Sequence, residues 1–465
     1  MLSGIVVVAA SNVFLLARTA PKSVAAGSSS PKPSPAPSFP PAWDGRVAPL
    51  AAFVEEKRGL KFKHPVFVGF LTAEQYTKQV TGEEFTKEDR DEIKQVEGLS
   101  RSLGLINPET DLAKEAETLA DEGTLAFYAT DDKRVHVRGT EMTPTLRMTV
   151  VHELTHALQD QHYDLSRADR SKTSGEELAF TGMIEGDAIR IENEYYDSLP
   201  EAEAKQIEAG DVGGGEEISD VPPGLLALTS AGHALGEYFV DFLVASSGAT
   251  AVDAAFKQPP TTEEHLFDPF TFLDSQPPRP IQAQKLAKGE RRIDAGDFGA
   301  ITWYVFLALR LDPHLAMAAA DGWGGDSFVA FEREKKSCIR ANFIGDTTAD
   351  SDEMVVALDA WVKLMPPNTG SVTRDADTVT FSACDPGKIA LPETRKDADI
   401  LLALPLARAG IAAETIREGV PRDIARCASR RVAEAFSLEE LSDPDYAGSS
   451  KAQARITKLV ERCVY

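Results

Sequence analysis

The chain has 465 residues, 43 % of them hydrophobic, which is enough for two or three domains with sizeable cores. Its 73 acidic and 49 basic residues give a formal net charge of −24, which excludes the basic footprint that a nucleic-acid partner requires. The sequence opens MLSGIVVVAASNVFLLARTAPKSVAAG, where the apolar run from Gly4 to Ala17 is interrupted by Ser11 and Asn12. That run is short of the roughly 20 residues a membrane-spanning helix needs. It fits the apolar region of a secretory signal, with Val24-Ala25-Ala26 as a small-residue cleavage site. No Lys or Arg precedes it, so a membrane anchor stays open as the alternative. The Ser/Pro tract from Ser28 to Pro41 reads as an extended linker, and the expected location is secreted or tethered at the cell surface.

From Trp43 onward the pattern is that of a globular domain. The segment AAFVEEKRGLKF predicts a helix, HPVFVGFLT (His64 to Thr72) a strand, and the acidic stretch Gly82 to Leu103 a polar helix. TLAFYATDDKRVHVRG holds two β-rich runs joined at Asp131-Asp132, a hairpin pattern. Thr143-Pro144 is a strong helix start, followed by Leu146, Val150, Leu154 and Leu158 at spacings of four. A second start is expected at Ser174, where Ser174 and Glu177 match the S-x-x-E capping box; Phe180, Ile184, Ala188, Ile191 and Tyr195 then share one helix face. Ile207 to Pro223, with the run Gly213 to Gly215 and five acids, reads as a mobile loop, and further helices are expected over Leu225 to Ser246 and Ala300 to Asp321. Trp323-Gly324-Gly325 reads as a tight turn. The order after it is strand, strand, helix, strand (SFVAFER, SCIRANFI, DEMVVALDAWVKL, TVTFSAC), and the last 80 residues read as helical.

The four cysteines, Cys338, Cys384, Cys427 and Cys463, contain no C-x-x-C pair, and their even number at wide spacing suits structural disulfides. Three pairings are open; Cys338 with Cys384 and Cys427 with Cys463 is favoured because each pair brackets one compact unit. The expected organisation is a signal or anchor with linker over 1–41, a main domain over 42–332 and a disulfide-stabilised part over 333–465.

The chemistry concentrates in TVVHELTHALQDQH, Thr149 to His162. On a helix, His152, Glu153 and His156 lie within one turn, so two imidazoles can hold one zinc ion while Glu153 faces a water that the metal acidifies. That is the chemistry of peptide hydrolysis. A catalytic zinc needs a third protein ligand. His162 stands where a longer three-histidine motif places its last ligand, but Gln159 occupies the position of the turning Gly. On a continuous helix His162 would sit about 9 Å along the axis and roughly 240° around from His156, out of reach of a shared metal. Glu185, in IEGDA beside the apolar face of the next helix, is the stronger candidate, with Asp187 as an acceptor for a histidine N–H. His233, His265, Tyr195, Tyr196 and Tyr238 each offer a donor for an oxyanion, although such residues in helices more often serve packing.

VVHELTHALQDQHYDL followed by IEGDA resembles the bacterial and archaeal zinc metallopeptidases of gluzincin type. The resemblance extends to GEYFVDFL, to KQPPTTEEHLFDP and to GWGGD. In the second of these segments Asp268 replaces the family's histidine and His265 stands at its Gln, so no catalytic role is carried over to it. The resemblance implies His152, His156 and Glu185 as zinc ligands and Glu153 as general base; it supplies no substrate. The expectation is therefore an α+β fold with a helix-rich zincin-like core and a small β-sheet. Its activity would be zinc-dependent cleavage of a peptide or protein substrate outside the cytoplasm, and the alternative is a zinc-stabilised scaffold of the cell envelope without turnover.

Overall fold

The computed structural model describes residues 38–81, 87–115, 125–209, 221–282, 284–389 and 398–464. The N-terminal apolar run, most of the Ser/Pro tract and residues 210–220 of the expected mobile loop lie outside them. The fold is mixed α+β, with many helices and two small sheets. Two compact units are interleaved along the chain. One comprises Met1–Asp89, Ala113–Arg170 and Asp187–Asp220; the other comprises Arg90–Leu112, Ser171–Gly186 and Val221–Tyr465. The division falls inside a single continuous helix, after Gly186.

In the first unit, helix α1 (Ala48–Arg58) and a three-stranded sheet enclose the motif helix α2 (Pro144–Tyr163). The strands are β1 (Phe67–Leu71), β2 (Ala126–Ala129) and β3 (Arg134–Arg138), in the order β1-β3-β2. β1 runs parallel to β3, and β2 is the antiparallel hairpin partner. The Thr143 hydroxyl accepts the Leu146 N–H at 3.2 Å and Pro144 sits at the first turn, so α2 starts where the sequence predicts. Val150, Val151, Leu154 and Leu158 of α2 are fully buried with Leu50 and Val54 of α1 and Val135 and Val137 of β3. Each such side chain contributes about 1.5–3 kcal/mol of burial. The helix is buried nearly all round from Thr145 to Asp160, so its polar residues must find partners inside the protein.

Helix α3 (Ser174–Asp197) begins at the residue expected to cap it, so its cap lies one residue earlier. The Thr173 hydroxyl accepts the Glu176 N–H at 3.1 Å, and Glu176 accepts the Lys172 N–H at 2.8 Å, so Thr173 takes the capping role expected of Ser174. Asp297, which accepts the backbone N–H groups of Ser174 and Gly175, fixes that earlier cap.

The second unit is built on helices and a five-stranded antiparallel sheet. Helix α4 (Pro223–Ser247) packs along α8 (Ala398–Arg417). The single helix expected over 300–321 is broken into α5 (Ala300–Ala308) and α6 (Pro313–Ala320), because Pro313 cannot continue a helix and Asp312 caps the new one through the His314 N–H. The sheet, in the order β4-β5-β6-β8-β7, consists of β4 (Arg291–Gly296), β5 (Trp323–Arg333), β6 (Lys336–Gly345), β7 (Gly370–Asp375) and β8 (Thr378–Cys384). The expected turn at Trp323 is instead the start of β5, with a bulge between Trp323 and Gly325. Helix α7 (Thr348–Val362) covers the sheet, with Trp361 against Phe306 and Phe381.

Both disulfides join the favoured partners. Cys338 and Cys384 face each other in the β6–β8 register, and Cys427 of α9 (Arg422–Ala435) is bonded to Cys463 of α10 (Ser450–Val464). No free cysteine remains, a usage that points to an oxidising compartment outside the cytoplasm.

Candidate metal centre

His152 and His156, one turn apart on α2, meet Glu185 of α3 with their ligand atoms all within 4.8 Å of one another. All three side chains are buried, at 1 %, 7 % and 7 % exposure. The Nε2 atoms of the two imidazoles approach to 3.0 Å with the rings nearly perpendicular.

The surroundings fix which nitrogen of each ring carries the proton. His152 Nδ1 donates to Glu192 Oε2 at 2.8 Å. His156 Nδ1 donates to Gln159 Oε1 at 3.0 Å, and Gln159 is itself oriented because its Nε2 donates to Asp187 Oδ2 at 3.0 Å. Reversing that amide would set its oxygen against the Asp187 carboxylate. Asp187, fully buried, is held by Arg58 Nε at 2.6 Å and by Arg190 at 3.1 Å. Burial alone would raise its pKa, but the two guanidiniums outweigh that and hold the carboxyl below the usual range. The order of dependence runs from Arg58 to Asp187 to Gln159 to His156.

With both Nδ1 atoms protonated, both Nε2 atoms present lone pairs, and they present them to each other. Two facing lone pairs beside a carboxylate are a binding arrangement for a cation. Their 3.0 Å separation is near the ~3.3 Å that tetrahedral zinc with bonds of about 2.0 Å would require. The donor set of two imidazoles and one carboxylate suits zinc, and each histidine carries the hydrogen-bonded outer partner that metal-bound histidines need. The residues therefore fit the ion that the motif implies.

Glu153, between the histidines in sequence, is 4 % exposed, and its Oε2 accepts the Tyr128 N–H of β2 at 2.7 Å. This contact ties the carboxylate to the strand and fixes one of its two oxygens. His162 stands apart from this group. The helix continues through Tyr163, and His162 Nε2 donates to the Lys61 carbonyl at 2.8 Å near the surface.

The remaining sequence candidates mostly have structural partners. His265 Nδ1 accepts the Thr261 N–H and its Nε2 donates to the Gln276 carbonyl, which holds a neutral ring; burial lowers its pKa further. The Tyr195 hydroxyl accepts from Arg147, the Tyr196 hydroxyl donates to Glu208, and Tyr238 lies against Gly410. Asp187 serves His156 through Gln159 instead of accepting a histidine N–H itself. Glu192 is the residue the sequence reading lacks. It lies seven residues beyond Glu185, two helical turns on and on the same face, which is the signal that marks it.

Comparison of the chain with protein-family models, with curated proteins and with solved structures finds no match.

Proposed function

We propose that the protein is a zinc-dependent peptide hydrolase with a zincin-like core of the gluzincin type, acting outside the cytoplasm as a secreted or surface-tethered enzyme. His152, His156 and Glu185 would hold the metal. The convergence of these three buried residues, with the two Nε2 atoms 3.0 Å apart, is the observation that carries the reading. A zinc ion bound there supplies Lewis-acid polarisation and lowers the pKa of a nearby water to about 7.

The chain's own contribution is proton transfer and restraint. Glu153 takes a proton from the water as its oxygen bonds to the peptide carbonyl carbon, and delivers that proton to the nitrogen as the C–N bond breaks. The Tyr128 N–H holds Oε2 and so restrains the carboxylate that carries the proton. Glu192 and Gln159 keep each imidazole in the tautomer that leaves Nε2 basic.

Glu153→Gln keeps the size and the acceptor for Tyr128 and cannot take up the proton. It should retain one zinc per chain and lose about 10²–10⁴-fold in cleavage of a peptide library. Undiminished cleavage by that variant would remove Glu153 as the base. Wild-type protein carrying its full zinc and cleaving no peptide would replace the hydrolase with a zinc-stabilised scaffold.

A further inference from the structure

Helices α3 and α4 meet through two G-x-x-x-G pairs, Gly182 with Gly186 and Gly232 with Gly236. A Cβ on Gly186 would lie 2.0 Å from the Gly236 carbonyl oxygen, and one on Gly236 would lie 1.9 Å from that of Gly182. Backbone therefore meets backbone at this crossing, an approach that only glycine permits. Each glycine pair encloses one residue of interest, Glu185 in the first and His233 in the second. The crossing brings them together, with His233 Nε2 3.2 Å from Glu185 Oε2.

His233 is 7 % exposed, and neither of its ring nitrogens makes a hydrogen bond in this arrangement. A buried imidazole without hydrogen bonds is an unfavourable state unless a partner is close at hand. The nearest candidate is the carboxylate that completes the metal group, whose Oε2 at 3.2 Å is already within hydrogen-bonding distance. His233 is outside the group of three whose ligand atoms gather, and its contact with that group is through Glu185.

We propose that His233 is a positioning residue for Glu185: its Nε2–H engages Oε2 and leaves the other oxygen for the metal. The third ligand is thus set by the glycine crossing of α3 and α4, and its aim by His233. This inference rests on the metal-centre reading given above.

The test is zinc affinity, measured on the full chain by competition with a chromophoric chelator. His233→Leu keeps the volume and removes the donor, whereas His233→Gln keeps a donor near the place of Nε2. The Leu variant should bind zinc about 10–100-fold more weakly, and the Gln variant should recover affinity to within a few-fold of wild type. In a Glu185→Ala background His233→Leu should have no further effect, since the residue through which it acts is gone. Thermal melting in excess chelator checks that the metal-free folds are equivalent. Wild-type affinity in His233→Leu, an equal loss in His233→Gln, or an undiminished effect in the Glu185→Ala background would each overturn the positioning role while leaving the metal centre intact. A wild-type chain that binds no zinc would overturn the metal centre and, with it, this role.

Discussion

Asp187 in the first unit and Glu263 in the second are both buried acids, and the protein accommodates them in opposite ways. Asp187 is paired with Arg58 and Arg190 and stays charged below its ordinary pKa. Among the described residues, the hydrogen bonds to Glu263 come from neutral donors: the Thr302 N–H at 2.9 Å and hydroxyl at 3.1 Å. Burial, with Asp297 and Asp326 nearby, pushes its pKa up to about 8. Asp326 likewise accepts neutral N–H groups, from Phe298, Gly299, Trp303 and Trp323, and burial raises its pKa to about 6. A buried acid with cations is a fixed charge that can orient its neighbours, as Asp187 orients Gln159. One without cations has its pKa raised by burial, and its contribution depends on pH.

The linkage signs are opposite. A depressed carboxyl contributes stability above its unfolded pKa that is lost as pH falls through the folded value; this is Asp187. A raised carboxyl contributes stability that is complete below the unfolded value near 4.5 and is lost as pH rises toward about 8; this is Glu263.

The largest way to break the contrast is to remove the cation. Arg58→Met leaves Asp187 in the interior with Arg190 alone, and denaturant unfolding at pH 7 should show a loss of about 3–5 kcal/mol. A loss below about 1 kcal/mol would mean that Arg190 suffices. Next in size is Glu263→Gln, which cannot ionise. Wild-type stability should fall by up to about 1.4 kcal/mol per pH unit between pH 5 and 8 through this group. The variant should lack that slope and exceed wild type by roughly 3 kcal/mol at pH 7. Parallel pH profiles for the two proteins would place the proton elsewhere. The smallest effect is expected of Gln159→Leu, which uncouples the Asp187 charge from His156 while leaving both ligands in place. Zinc affinity should drop about tenfold, and an unchanged affinity would show that His156 keeps its tautomer unaided.

The parts of the molecule readable in the sequence are those specified by local rules. The spacing of His152, Glu153 and His156, the Thr143-Pro144 start and the 29-residue step to Glu185 are all visible in a short window. Contacts that depend on folding are not: Arg58 meets Asp187 across 129 residues, and nothing near either one announces the other. Glu192 differs only in that its seven-residue offset from Glu185 is visible, although its partner is not. The two strands absent from the sequence reading, β4 and β7, are the sheet's edges, and RRIDAG and GSVTRD are too polar and exposed to show alternation. Pro313 is a visible break that an apolar run on both sides hides. The cap shift from Ser174 to Thr173 is decided by Asp297, more than a hundred residues away.

The interleaving of the two units has a consequence for the order in which the chain is made. The first unit draws its last segment from Asp187–Asp220, and the second begins at Arg90 but draws most of its residues from beyond Val221. A chain that emerges N-terminus first must therefore carry 90–112 and 171–186 as waiting segments until the residues beyond Val221 have been made. Cys338 and Cys384 follow later, and Cys427 and Cys463 later still. Both covalent cross-links are thus formed among residues synthesised after the three candidate zinc ligands, and oxidation is a late event in the biogenesis of this protein.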